Sequence, residues 1–124
     1  LHLLWILEMR LTLIASLLLL PLLTACGPQP PDARQWEALT TAASASGSAA
    51  ALGTRCAFDT REMAAAYDRA VARYVLTEAQ KAELVAIGKA AAADLAGEPL
   101  SKDNAMCTQA TAMRDKVMTV VTKL

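Results

Sequence analysis

Residues 58 to 99 read FDTREMAAAYDRAVARYVLTEAQKAELVAIGKAAAADLAGEP, two runs in which apolar residues return every three or four positions, each opened by a helix-start signal. In the first run Asp59 is a candidate N-cap, Glu62 three residues on can reach back to complete a capping box, and Phe58 can staple onto Met63. Met63, Tyr67, Ala70 and Tyr74 then share one stripe. In the second, Thr77 caps with Gln80 in the reciprocal position, and Leu84, Ile87, Ala91 and Leu95 recur at helical spacing. Gly97 suits the position just past the helix, and Pro99 bars continuation.

The same periodicity extends outward. Upstream, Asp32 is a possible N-cap for a helix from about Ala33 to about Leu52, with Trp36, Leu39 and Ala43 on one face. Its Ser44-Ala45-Ser46-Gly47-Ser48 segment is expected to fray, because Gly inside a helix costs about 1 kcal/mol against Ala. Downstream, a fourth helix beginning near Ser101 presents Met106, Ala110, Met113, Val117, Val120 and Leu124 at steps of three and four. No long stretch alternates apolar and polar residues, so no sheet is expected. The reading is an all-α domain over residues 33–124, a small up-and-down bundle of about four helices. Alanine dominates the second and third helices, which lets them approach closely but makes for a thin core. Trp36, Phe58, Tyr67 and Tyr74 are expected to supply much of the burial, at about 150 to 250 Å² for a typical aromatic side chain.

Twelve basic and twelve acidic residues give a net charge of zero, with no run of either sign. Nucleic-acid binding is therefore not expected. The densest apolar part is the first 25 residues: Met9-Arg10 supplies a start and a positive charge, Leu11 to Leu23 is almost uninterruptedly apolar, and Thr24 and Ala25 are small. These are the three regions of an export signal. A membrane span over 1–25 is the competing reading, but Glu8 and Arg10 near its middle would each cost about 2.5 to 3.5 kcal/mol. Residues 1–8, bearing His2, Trp5 and Glu8, read as an extension ahead of a natural start at Met9. After Cys26, Gly27-Pro28-Gln29-Pro30-Pro31 has the composition of an extended linker.

Leu23-Thr24-Ala25-Cys26, placed where the apolar run stops, resembles the lipobox of bacterial lipoproteins. The resemblance covers about the first 26 residues and leaves the mature domain without a family. It implies a diacylglyceryl group on the Cys26 thiol, cleavage before Cys26, and usually acylation of the new amine, so that several chains give stable anchoring where one binds reversibly. Gly27 stands where many enteric lipoproteins retained at the inner membrane have Asp. The resemblance thus favours the periplasmic face of the outer membrane, with the inner membrane as the alternative. With Cys26 lipidated, Cys56 and Cys107 remain as an even pair in an oxidising compartment. Helices running up, down, up and down bring them to the same end of the bundle, which predicts a disulfide.

The expected mature chain contains no histidine, which removes Ser-His and Cys-His dyads and the commonest transition-metal ligand. No phosphate-binding glycine motif or zinc-protease motif is present. Asp59 and Glu62 are a formal carboxylate pair, but capping accounts for both. Met106, Met113 and Met118 invite a copper(I) reading, against which stands the ordinary use of Met as core filler. Arg61, Arg69 and Arg73, interleaved with Glu62 and Asp68, read as a solvated face. No catalytic residue, cofactor or metal site is expected. Two functional readings remain: a non-catalytic interaction or structural module tethered to the envelope with an envelope protein as partner, or a periplasmic carrier of a small hydrophobic ligand or holdase. An enzymatic role has least support. A carrier calls for a sizeable apolar cavity, an adaptor for an exposed apolar patch.

Overall fold

The computed structural model describes residues 27–96 and 105–124. Residues 1–26, and with them the export signal and Cys26, lie outside the described residues, as do Gly97, Pro99 and Ser101. Four helices account for most of the rest: α1 (Ala33–Cys56), α2 (Arg61–Ala72), α3 (Glu78–Ala96) and α4 (Ala105–Thr122). No strand occurs among the described residues, only a single bridge between Gln29 and Tyr74. The all-α bundle expected from periodicity is the fold found.

Local chemistry explains where the helices start. At α1, Asp32 and Gln35 exchange hydrogen bonds: the Gln35 N–H donates to Asp32 Oδ1 at 2.8 Å, and the Asp32 N–H donates to Gln35 Oε1 at 2.9 Å. Thr77 and Gln80 do the same at the head of α3, at 3.1 and 3.0 Å. Each box satisfies amides that the first turn leaves without helical partners. The expected box at α2 is not formed. Thr60 is the N-cap and makes no side-chain cap bond. Asp59, one residue earlier, accepts from the Arg61 N–H at 2.9 Å and holds the Arg61 guanidinium at 2.7 Å. The charge-assisted contacts to Arg61 occupy the Asp59 carboxylate, and Glu62 has no part in them.

Two expectations for α1 are also corrected. The helix runs four residues past Leu52 to Cys56, where Ala57 turns the chain with φ 54° and its N–H returns to the Gly53 carbonyl. The serine-rich stretch remains helical, because it is the part of α1 against which other helices press. Ala42, Ala43 and Ala49 are buried, and a β-carbon placed on Gly47 would fall on the backbone of Gly88 in α3. Small side chains that cost α1 intrinsic propensity thus allow close packing on both of its sides.

Leu39 and Ala43 pack with Leu84, Gly47 faces Gly88, and Arg55 Nη1 donates to the Leu95 carbonyl at 3.0 Å, so α1 and α3 run in the same direction. Cys56 is joined to Cys107 while Thr41 lies near Val120, so α4 runs opposite to α1. Phe58 lies under Arg114 and the Tyr74 hydroxyl donates to the Leu124 carbonyl at 3.1 Å, which aligns α2 with α4. Directions alternate as expected. The neighbours are less regular: α1 packs most extensively on α3 and α4, α2 rests on α4 and α1, and α2 and α3 do not pack on each other.

Six of the thirteen buried hydrophobic residues are alanines, and the largest fully buried side chains are Leu39, Leu52, Met63 and Val117. One cluster gathers around Val117 between α1, α2 and α4, and another joins Leu39, Ala43, Leu76 and Leu84. The aromatics are only partly buried, contrary to their expected dominance: Tyr74 must keep its hydroxyl on Leu124, and Phe58 sits in a surface connection beneath Arg114. Ala91 and Leu95, placed inward by periodicity, are half-buried, leaving Leu84 the buried residue of α3. In α4 the buried stripe ends on Val121, with Val120 at its edge.

Candidate functional site

Because α2 and α3 stand apart, a groove of about 410 Å³ opens between them with α1 as its floor. The floor is Ala43, Ser46, Gly47 and Ala50, whose small side chains leave the backbone of α1 close to the surface. Tyr67, Asp68 and Val71 form the α2 wall; Leu84, Val85 and Gly88 form the α3 wall; Leu76 lies at the end near the α2–α3 connection. Val85 is 56% exposed, and among the described residues Val75, at 52%, is the other large hydrophobic residue left in solvent.

Lys81, Val85 and Lys89 follow one another at single-turn intervals along the lip of α3. Lys81 makes an exposed ion pair with Glu78 at 3.2 Å, the kind of contact that solvent and other partners replace at little cost. Lys89 and, across the groove, Asp68 form no ion pair among the described residues. Partial burial, with the Asp68 carboxylate adding to it, pushes the Tyr67 hydroxyl above its ordinary value of 10 and keeps it a neutral donor. Such a surface offers apolar contact and charge.

Of the residues singled out by the sequence, Cys56 and Cys107 are brought together in a disulfide with Cα atoms 5.4 Å apart. Cys26 lies outside the described residues. Met113 and Met118 pack against the cluster around Val117, as core filler does. Arg69 and Arg73 are exposed, and Arg61 is taken up by Asp59. The pair holds the Asp59 carboxyl down to about 2, chiefly through the side-chain hydrogen bond from Arg61. No group of three or more His, Cys, Asp or Glu suited to a metal ion occurs among the described residues.

Sequence reasoning did not reach the groove. Its visible traces were two lysines bracketing a valine on the exposed face of α3, and a glycine in the middle of each of α1 and α3. Comparison with known proteins brought no match to any family model, curated protein or solved structure.

Proposed function

We propose that this chain is a lipid-anchored, non-catalytic module of the bacterial cell envelope that holds a helix of a protein partner in the α2–α3 groove. The lipobox supports the anchor, and the Cys56–Cys107 disulfide fits an oxidising compartment such as the periplasm. Gly27 after the lipidated cysteine favours the outer membrane. The observation that carries the binding role is the missing contact between α2 and α3, which leaves a floor of small residues beside an exposed Val85.

Charge spacing selects the occupant. Lys81 and Lys89 are eight residues apart on one helix, about 12 Å at 1.5 Å per residue, too far for one anionic headgroup to bridge. A helix with carboxylates two turns apart and small or apolar residues between them matches both lysines and Val85. An open groove also suits a protein partner better than a carried ligand, which pockets usually bury by about 70 to 90%.

Two measurements test this reading. Labelled palmitate should be incorporated into the wild type and not into Cys26→Ser; label retained by the variant, or absent from the wild type, removes the anchor. A photocrosslinker at Val85 in the lipidated protein should capture an acidic helical peptide of one protein, and reversal of both Lys81 and Lys89 to Glu should abolish the crosslink. Crosslinks to lipid or to many clients would favour the carrier or holdase reading instead, and crosslinks to a second copy would indicate self-association.

A further inference from the structure

The linker does not hang free of the bundle. The Gln29 carbonyl accepts a hydrogen bond from the Val75 N–H at 3.0 Å, and Gln29 bridges Tyr74 in parallel register, so the chain is fastened to the α2–α3 connection. Only Gly27 and Pro28 separate that attachment from Cys26. A fully extended chain spans at most about 3.6 Å per residue, so three residues reach no farther than about 11 Å from Gln29. Val75, whose amide makes the attachment, is 52% exposed.

From this reach and this exposed side chain we infer that the end of the bundle carrying Val75 is seated on the phospholipid surface, with Val75 in the interfacial layer. The inference rests on lipidation of Cys26. The interfacial region on each side of a bilayer is about 5 to 7 Å deep, so an anchor this short holds the Gln29 attachment within a few ångströms of that layer and leaves the domain no room to turn over. The reach of the covalent anchor does the seating, and charge is not needed for it: Arg34, Arg73, Lys81 and Lys123 at this end stand against Asp32, Glu37 and Glu78. On a phospholipid surface without net charge the seat is therefore insensitive to salt. Cys56 and Cys107 lie at the opposite end, a helix length of about 36 Å away, and the groove opens between the two ends.

The test uses the mature lipidated protein, its acyl groups verified by mass, in phosphatidylcholine vesicles with brominated acyl chains. In a Trp36→Phe background, which leaves the expected mature chain without tryptophan, single reporters are placed by Val75→Trp or Thr108→Trp. Bromine quenches tryptophan over short range, so the Val75→Trp reporter should be quenched about twofold or more over Thr108→Trp, whose site lies beyond the interfacial layer. The difference should persist in high salt. Ten Gly/Ser residues inserted between Cys26 and Gly27 should abolish it while the fold is retained. Equal quenching of the two reporters in acylated protein overturns the seat and leaves the anchor standing. Quenching that survives the lengthened linker shows that the apolar end adheres by itself and overturns the short linker as the cause of the seat. Protein without acyl groups removes the anchor and the seat together.

Discussion

Gly47 and Gly88 meet where α1 crosses α3, but the demands on them are unequal. A β-carbon on Gly47 would fall on the carbonyl of Gly88 and 2.8 Å from its Cα, backbone that cannot rotate aside. A β-carbon on Gly88 would stand 3.5 Å from the Ala43 carbonyl oxygen, an ordinary contact. Gly47→Ala should therefore separate the helices. Overpacking of this kind costs about 1 to 3 kcal/mol, offset by about 1 kcal/mol of helix propensity, for a net loss of up to about 2 kcal/mol. Gly88→Ala keeps the propensity gain and should leave stability unchanged or raise it by up to about 1 kcal/mol. Urea unfolding of the two variants distinguishes them, and equal destabilisation would show that the crossing is not where the structure puts it.

The head of α2 shows what one helix start contributes and why its pattern misleads. Asp59 binds Arg61, and its carboxyl titrates at about 2 in the folded protein against an ordinary 3.8. A depressed folded value favours the native state above the unfolded value, and that contribution disappears as pH falls from 3.8 towards 2. Both partners are exposed, so the effect is small. Asp59→Asn should therefore lose less stability than the wild type between pH 4 and pH 2, as read from urea midpoints at each pH; parallel losses would show that the pair does not act in solution. The same element marks the limit of what the sequence discloses. Boxes at Asp32 and Thr77 were legible or nearly so, because their partners lie three residues away and nothing competes for them. At Asp59 a guanidinium two residues on competes, and spacing alone does not reveal it. The four helices and their alternating directions follow from periodicity and short connections. The pairing of α1 with α3, and hence the groove, depends on a contact across forty-one residues between two glycines, for which helical periodicity carries no signal.

At the scale of the whole molecule, the two ends of the bundle are fastened differently. Near the linker, α2 meets α4 through the Tyr74–Leu124 hydrogen bond, and Gln29 binds Val75. At the far end Arg55 holds the last turn of α3, while the covalent link from Cys56 to Cys107 ties α1 to the start of α4. The disulfide spans 51 residues of sequence. Closing such a loop in the unfolded chain removes entropy worth roughly 4 kcal/mol, although measured gains are often smaller. Domains of this size are stable by only about 5 to 15 kcal/mol in total, and a core in which alanine is the commonest buried residue gives little reason to expect the upper end. The link therefore supplies a large share of net stability. Replacing Cys56 and Cys107 together by Ala should lower the thermal midpoint by about 15 to 30 °C, since a domain of this length shifts about 4 to 8 °C per kcal/mol. The double replacement leaves no unpaired thiol to complicate the reading, and the hydrogen bonds at the linker end should keep the variant helical at low temperature. Two measurements on mature protein from the periplasm check the premise and the consequence. Alkylation under denaturing, non-reducing conditions should add no mass, because both thiols are engaged. Thermal unfolding with and without reductant should then reproduce the shift seen in the variant. Two alkyl additions without reduction, or a midpoint within a few degrees of the oxidised protein's, would show that α1 and α4 are held together by packing around Val117 and not by the covalent link.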